Sequence, residues 1–294
     1  METVKKIFRA PLRFIYNLGR KIFGGKGLRK YAVVDRAWSS MSRLVRDDTV
    51  MVNGYKMWSD VVNGIDFGGQ TTGQIFDAPL VELFNREVKP GMTVLDIGAE
   101  MGYFTCLFAK LVGPLGRIYA FEPNPHNLEY LRKNVAVNDF KNVTVMPQAA
   151  SDAKGEMRFF ARGPHSSLGY DRFADGETPI TVKTAALDDV LRDVPRIDFM
   201  KIDIEGSEGK AFRGMQGIVK KNPSMRIVME FYPMLLKKAG EDPRAVFDSL
   251  VRAGFAIHDL KDSPELGAPV STESIVKAYP PTENSMTNLY LSRI

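Results

Sequence analysis

Val94-Leu95-Asp96-Ile97-Gly98-Ala99-Glu100-Met101-Gly102-Tyr103-Phe104-Thr105 passes from an apolar run through an acid into a glycine-containing turn, then into an amphipathic segment. The apolar run predicts a buried strand over Thr93–Ile97, and the segment after Gly102 predicts a helix over 103–111. Glycines in such a turn let the backbone approach a ligand closely. The helix N-terminus behind them offers amide N–H groups. The spacing is not the dinucleotide pattern G-x-G-x-x-G. Asp96 also stands inside the turn, where it would repel a pyrophosphate. An acid there suits a cationic ligand with an α-amino group.

The alternation continues downstream. Strands are expected at Arg117–Phe121, 143–147, 156–160, 180–184, 197–204, Arg226–Phe231, 255–260 and 288–292, with helices at 125–138, 187–191, 207–219 and 243–253. Strands alternating with helices imply an α/β fold with a mostly parallel sheet. Ligands of such sheets sit beyond the carboxyl ends of the strands, near the point where strand order reverses. Upstream, 78–89 reads as a helix, and Asn53-Gly54 joins Thr49–Val52 to Tyr55–Trp58 as a hairpin. The 261–287 connection holds Pro264, Pro269, Pro280 and Pro281, and connections of that length are often functional.

The chain has 294 residues, of which 44% are hydrophobic and 26% charged, as in ordinary globular proteins. No apolar run is long enough to span a membrane. The single cysteine, Cys106, excludes an internal disulfide and a multi-cysteine zinc site. Charge is unevenly placed. Residues 1–30 carry nine Lys or Arg against one acid, Glu2, while the remaining 264 residues carry 31 bases and 34 acids. Val4, Ile7, Phe8, Leu12, Ile15, Leu18 and Ile22 recur at helical spacing within this basic arm. Such a helix either lies on an anionic membrane surface through residues 4–23 or packs on the domain. Arg9 and Arg13 interrupt any secretory apolar region, and an organelle transit peptide would carry serine, of which none precedes Ser39.

Four further motifs carry chemistry. Ala120-Phe121-Glu122-Pro123-Asn124-Pro125 ends the second strand with a carboxylate that could accept from ribose hydroxyls or cap the next helix. Ala149-Ala150-Ser151-Asp152 follows the third strand, where loops flank adenine, or it is turn chemistry. In 197–208, Lys201, Asp203 and Glu205 alternate, so they share one face of an extended strand. They are either a functional set or a self-satisfied Lys–Asp pair, with Glu208 placed to favour a helix N-terminus. Glu230, in Val228-Met229-Glu230-Phe231-Tyr232-Pro233, ends the next strand beside the same crevice. Strand, GxxxG turn, helix, strand and Glu, in that order, signal S-adenosylmethionine.

The stretch from about Pro90 to Pro233 resembles the FkbM family of S-adenosylmethionine-dependent methyltransferases. The resemblance rests on DIGAEMGYFT, AFEPNP, AASDAKGE, Ser166-Ser167-Leu168, Ala186-Leu187-Asp188 and IDFMKIDIEGSE. It implies a class I, Rossmann-like methyltransferase fold, with a seven-stranded, mostly parallel sheet and a last antiparallel strand. It implies that Asp96, Gly98, Ala99 and Gly102 hold the methionine part of the cofactor, Glu122 the ribose, and Ala150 and Asp152 the adenine. Glu100, Tyr103 and Asn124 belong to the same cofactor-binding set. Glu100 stands where the family usually has Asn, placing a negative charge beside the cofactor's amino group or the substrate.

On this resemblance Asp203 faces the methyl group as general base or orienting group, with Glu205, Glu230 and His165 as alternates. Magnesium held by Asp203 with Glu205 or Glu230 is compatible with hard oxygen ligands, although the spacing does not demand it. The expected reaction is O-methylation of a sugar, glycan, lipid-linked or polyketide-type hydroxyl. Methyl-ester formation on a carboxylate and a non-catalytic binding role are the alternatives. The acid-first turn argues against a nicotinamide oxidoreductase. Nucleic acid is not an expected partner, since no Asn/Asp-Pro-Pro-Tyr motif or Cys-Pro pair occurs and the body is slightly acidic. The organisation expected is a basic arm (1–30), a substrate-shaping region (31–89) and a catalytic domain (90–294). The place expected is the cytoplasm, peripheral at the inner face of the membrane if the arm binds lipid.

Overall fold

The computed structural model describes residues 49–58, 77–162, 165–168, 179–283 and 285–293. The basic arm and the proposed contact through residues 4–23 lie outside these, as do 59–76 and most of the loop around Ser166. The hairpin forms as expected, from β1 (Thr49–Val52) and β2 (Tyr55–Trp58). Asn53 and Gly54 both take positive φ, 48° and 79°, as a two-residue hairpin turn requires.

The body follows in chain order: α1 (Ala78–Glu87), β3 (Thr93–Ile97), α2 (Tyr103–Val112), β4 (Arg117–Phe121), α3 (Pro125–Val137), β5 (Val143–Met146) and β6 (Ala149–Ser151). Then come β7 (Gly155–Arg162), β8 (His165–Leu168), β9 (Ile180–Ala186), α4 (Leu187–Val190), β10 (Phe199–Ile202), α5 (Glu208–Arg213) and α6 (Gln216–Lys221). The last are β11 (Arg226–Phe231), α7 (Pro233–Lys238), α8 (Pro243–Arg252), β12 (Ala256–Asp259), α9 (Thr272–Ala278) and β13 (Thr287–Ser292).

Seven strands form one sheet in the order β12-β13-β11-β10-β3-β4-β5. β13 runs antiparallel to both neighbours, and the pairs among β11, β10, β3, β4 and β5 are parallel. This is a class I, Rossmann-like methyltransferase fold. Strand order reverses between β3 and β10, so a crevice opens beyond Ile97 and Ile202. Alternate residues feed opposite faces of the sheet. Leu95, Met200 and Met229 join the core under α5, α6 and α8, while Val94, Phe199 and Val228 join the core under α1 and α2. On the second face, Phe84 meets Phe104, Phe108 and Phe199 at ring distances of 5.2, 4.9 and 5.7 Å. Such edge-on contacts add to the area each ring buries.

Several elements differ from the sequence expectation. The helix expected over 207–219 is two short helices, α5 and α6. At Gly214, between them, an added Cβ would lie 1.9 Å from the Ser151 carbonyl oxygen, so the chain bends where β6 presses on it. The strand expected to reach residue 204 stops at Ile202, because Glu205 and Gly206 turn with φ of 55° and 100°. The long connection at 261–287 contains α9, whose Ser271 and Ser274 form a reciprocal capping box. β6, β7, β8 and β9 form a separate four-stranded sheet in the order β6-β9-β7-β8.

Candidate active site at the carboxyl ends of the central strands

A crevice of about 510 Å³, open to solvent, lies at the strand reversal. Gly98, Glu100, Glu122, Ala150, Asp203 and Glu205 line it, from four separate chain segments. The turn after β3 is held by the end of β4. Gly98 and Ala99 amides donate to the Phe121 carbonyl at 3.0 and 2.9 Å, and the Glu100 amide donates to Glu122 Oε2 at 2.8 Å. These three amides thus serve the turn rather than pointing at a ligand. The glycines are also spent on protein contacts. A Cβ on Gly98 would lie 1.9 Å from the Asp203 carbonyl oxygen, and one on Gly102 would lie 2.6 Å from Leu131.

Glu122 is buried and does not cap the following helix. Asn124 does, accepting from the His126 amide at 2.9 Å. That engages the Asn124 side chain in the fold. Glu122 Oε1 takes the Asn124 amide at 2.8 Å, which leaves each carboxylate oxygen a further lone pair. Burial pushes the Glu122 pKa up to about 7, against the pull of those two amides and Asn127. Glu100 is reached by solvent from the crevice mouth but walled by protein behind. That wall and the Asp203 charge raise its pKa to about 8, and Lys201 offsets part of the rise.

Asp96 lies behind the turn, fully buried. Its Oδ2 accepts from Thr105 Oγ1 at 2.5 Å, while Oδ1 has no partner. Burial raises its pKa, opposed by Lys201 and Thr105. The Lys201 ammonium is buried, 5.2 Å from the centre of the Phe104 ring, and bonds Asp203 Oδ2 at 3.1 Å. Burial lowers its pKa, but Asp203, Asp96 and Glu100 outweigh that and hold it above the ordinary lysine value.

Asp203 follows the end of β10, and Glu205 sits beyond it in the turn. The two therefore reach the crevice from a loop and not from one strand face. Glu208 is buried in the first turn of α5, where its Oε1 accepts from the Ile204 and Gly206 amides at 3.2 Å each. Burial pushes its pKa up to about 7 despite those bonds. Burial raises Glu230 well above the carboxylate range, and the charges of Asp203, Glu205 and Glu208 add to it.

Two expected cofactor residues face elsewhere. Asp152 pairs with Arg213 at 3.3 Å, and Arg213 also pairs with Glu241 at 2.8 Å. Tyr103 fastens the hairpin. Its hydroxyl accepts from Asn53 Nδ2 and its carbonyl from the Tyr55 hydroxyl, each at 2.9 Å. Of His165 the side chain is not described. Asn127, Gln148 and Phe159 line the crevice without having been singled out by any motif. Their one signal is position, since Gln148 follows a parallel strand and Asn127 opens a helix. Asp77, at the N-terminus of α1 with φ of 49°, also senses Lys201 and Asp203.

Among the described residues, four buried side-chain oxygens lack any partner: Asp96 Oδ1, Asn127 Oδ1, Gln148 Oε1 and Glu230 Oε2. All are acceptors. Two belong to crevice-lining residues and two to the ends of β3 and β11 beside it. Unsatisfied buried acceptors are costly unless a ligand supplies donors. An amino acid nucleoside offers them as an ammonium, ribose hydroxyls and an adenine amine, so the residues fit S-adenosylmethionine. Among the described residues no group of three His, Cys, Asp or Glu is placed to hold a metal ion. None of the described helices is long and apolar enough to cross a membrane.

Comparison with known proteins bears on the same span. Residues 96–257 match the family model described as the methyltransferase FkbM domain. Residues 26–165 also match the model of protein-L-isoaspartate(D-aspartate) O-methyltransferase. Hexuronic acid methyltransferase AglP from Haloferax volcanii is 25% identical over 178 residues, covering 59% of this chain and 67% of that protein. A protein-L-isoaspartate O-methyltransferase from Aeropyrum pernix is 42% identical over 74 residues, covering 24% of this chain and 28% of the other. One from Methanothrix thermoacetophila is 30% identical over 122 residues, covering 41% and 57%. The chain thus spans well under two thirds of the length of these last two relatives. Among solved structures, a methyltransferase FkbM from Methylobacillus flagellatus KT is 16% identical with a TM-score of 0.42, covering 72% of this chain and 50% of that one. A precorrin-6y C5,15-methyltransferase from Geobacter metallireducens GS-15 is 16% identical with a TM-score of 0.44, covering 75% and 90%. With more than half of its residues inside the FkbM model, the chain belongs to the FkbM family of S-adenosylmethionine-dependent methyltransferases.

Proposed function

We propose that this protein transfers a methyl group from S-adenosylmethionine to a hydroxyl oxygen of a sugar or glycan acceptor. The observation that carries the cofactor is the set of buried, unpartnered acceptors of Asp96, Asn127 and Gln148 in and beside one crevice. Asp96 takes the amino group, Glu122 the ribose hydroxyls, and Asn127 and Gln148 donors on the adenosine side, beside Ala149 and Ala150. When bound, the cofactor supplies a methyl group on a positively charged sulfur.

Asp203 performs the proton work. Lys201 holds Asp203 Oδ2, which leaves Oδ1 for the acceptor hydroxyl. As the new O–CH3 bond forms and the S–CH3 bond breaks, the hydroxyl proton passes to Asp203. Orientation supplies much of the rate in such a displacement, and the general base adds to it. The similarity to a hexuronic acid methyltransferase supports a sugar acceptor. The matches to protein-L-isoaspartate O-methyltransferases favour a second reading, methyl-ester formation on a carboxylate.

One experiment separates these. The full chain is incubated with methyl-labelled S-adenosylmethionine and a panel of glycans, and the product is treated with mild base. A base-stable methyl ether supports hydroxyl methylation. Release of labelled methanol supports the ester. A folded protein that binds no S-adenosylhomocysteine would overturn the cofactor assignment.

A further inference from the structure

Glu100 stands between the two ends of the crevice. Its amide donates to Glu122 Oε2 at 2.8 Å, which fixes it beside the residue that takes the ribose hydroxyls. Its side chain lines the same crevice as Asp203, the leading charge that acts on it. In S-adenosylmethionine the sulfur is bonded to the ribose carbon, to the methyl group and to the methionine chain. A side chain flanked by the ribose acceptor and by the base that faces the methyl group is therefore placed to meet the sulfur. Glu100 also has φ of 48°, a left-handed backbone that suits asparagine far better than glutamate. Backbone of that kind collects where a side chain has work in a ligand site.

The neighbouring acids are engaged elsewhere. Asp203 holds its counter-charge at 3.1 Å in Lys201, and Glu122 accepts from two backbone amides. Methyl transfer to a hydroxyl turns the cationic sulfonium into a neutral thioether, forms a methyl ether and releases one proton. The ammonium, the carboxylate and the adenosine of the cofactor are the same before and after. Apart from the methyl group itself, the charge on sulfur is the one difference between the fresh and the used cofactor, and Glu100 is the side chain set to feel it.

We propose that the Glu100 carboxylate distinguishes S-adenosylmethionine from S-adenosylhomocysteine, holding the charged cofactor more tightly than the neutral product and so favouring their exchange. This rests on the methyltransferase reading, and it goes further by assigning that discrimination to one residue. The attraction acts through the ionised carboxylate. Burial and the Asp203 charge keep a proton on it up to about pH 8, so the discrimination grows as pH rises through that value. The charged groups that act on it are Asp203, Lys201 and Glu205, from β10 and the loop after it, and Glu122 from the end of β4. Glu122 itself titrates at about 7, but it meets the ribose of both ligands, so its protonation cancels from their ratio.

S-adenosylmethionine, sinefungin and S-adenosylhomocysteine are titrated calorimetrically into the full chain, without acceptor, at pH 6.5 and pH 8.5. Sinefungin carries an ammonium in place of the methylated sulfur, so it separates charge from the fit of the methyl group. At pH 8.5 both cations should bind about tenfold more tightly than S-adenosylhomocysteine, and the gap should narrow at pH 6.5. In Glu100→Gln the gap at pH 8.5 should shrink to about twofold, through weaker binding of the two cations, and should change little with pH. Glu100→Asn, whose side chain tolerates left-handed backbone, serves as a second variant if Glu100→Gln fails to fold. A gap as large in a folded variant, a gap no smaller at pH 6.5, a gap for S-adenosylmethionine without one for sinefungin, or no gap in the wild-type protein would each overturn the inference. Failure of all three ligands to bind the folded wild-type protein would instead strike the methyltransferase reading on which it rests.

Discussion

Lys201 Nζ lies 3.1 Å from Asp203 Oδ2, and the two side chains differ sharply in exposure: 5% for the lysine and 40% for the aspartate. A buried ammonium therefore anchors a carboxylate that faces the crevice. The arrangement fixes the aspartate's rotation without covering it. Asp203→Asn keeps the size and the contact point while removing the proton acceptor. We expect turnover to fall by about 10²–10⁴-fold while S-adenosylhomocysteine affinity changes little. Steady-state kinetics beside calorimetry checks this. Full turnover would remove Asp203 from the role of base.

The same lysine holds the site together electrostatically. Asp96 is fully buried and Lys201 is the foremost charge that opposes the burial penalty there. Lys201→Met leaves that carboxylate uncompensated, a loss of about 3–5 kcal/mol. The stranded acids then carry higher pKa values in the fold than in the unfolded chain. Their protonation rescues the fold at low pH and fails as pH rises. Melting temperature should therefore drop more at pH 8 than at pH 6. An equal drop at both would deny the coupling.

Glu208 makes the wild-type protein sensitive to pH in the same direction. Its pKa is about 7 in the fold against an ordinary 4.5. The folded state holds the proton more tightly than the unfolded chain does. That contribution is complete below the ordinary value and is lost as pH rises through the folded one. It amounts to about 3 kcal/mol at most. Glu208→Gln still accepts from the Ile204 and Gly206 amides but cannot ionise. Thermal melts from pH 5 to pH 8 should show a shallower decline in the variant, with the remainder carried by the other acids whose pKa is raised, Glu100, Glu122, Asp96 and Glu230. An unchanged slope would place the pH dependence elsewhere.

The central sheet was legible because its strands are short apolar runs bounded by helices, and β3 and β4 kept their expected ends. Asp96, Glu122, Asp203 and Glu230 were legible for the same reason, since each lies at or just past the end of a strand. What each touches was not. Gly98 and Gly102 read as space for a ligand, whereas Asp203 and Leu131 occupy that space. Asp152 read as an adenine neighbour, whereas Arg213, distant in sequence, claims it. Asp203 and Glu205 read as one strand face, whereas left-handed backbone at Glu205 ends the strand. Motifs report residue type and spacing along the chain. Partners that arrive from other segments leave no mark on either. Gln148 and Asn127 were invisible on that account, because an isolated amide has no periodicity.

Asn134 and Asn138 clip the hairpin to α3. Asn134 Oδ1 accepts from the Trp58 amide, and Asn138 bonds both the amide and the carbonyl of Lys56, all at 2.7 Å. The match is geometric. Four helical residues rise about 6 Å, and two strand residues rise about 6.6 Å. Asn134 Nδ2 also donates to the Met101 carbonyl at 2.7 Å, which ties the clip to the turn beside Glu100. Asn134→Leu strands a buried amide and a buried carbonyl, at about 2–3 kcal/mol. Hydrogen exchange should accelerate across 55–58, and S-adenosylhomocysteine affinity should weaken as the turn loosens. Unchanged exchange in a folded variant would show that packing alone holds the hairpin.

Gly98 is the position where fold and site constrain each other most tightly. It has φ of 82°, and a Cβ there would lie 1.9 Å from the Asp203 carbonyl oxygen and 2.9 Å from its carbon. Both are backbone atoms, so no rotamer relieves the clash. The Asp203 amide is itself bound to the Ile97 carbonyl at 3.0 Å, which prevents the loop from sliding away. Gly98→Ala must therefore either break that bond or distort a left-handed turn that alanine disfavours by about 1 kcal/mol or more. The first response moves Asp203 away from Lys201. Gly102→Ala differs, because there the nearest atom is the end of the Leu131 side chain, at 2.6 Å, rather than backbone. We expect Gly98→Ala to lose turnover completely and to melt well below Gly102→Ala, which should fold with weakened cofactor binding. Comparable stability and activity in the two variants would mean that β3 and β10 do not depend on this contact to set the crevice.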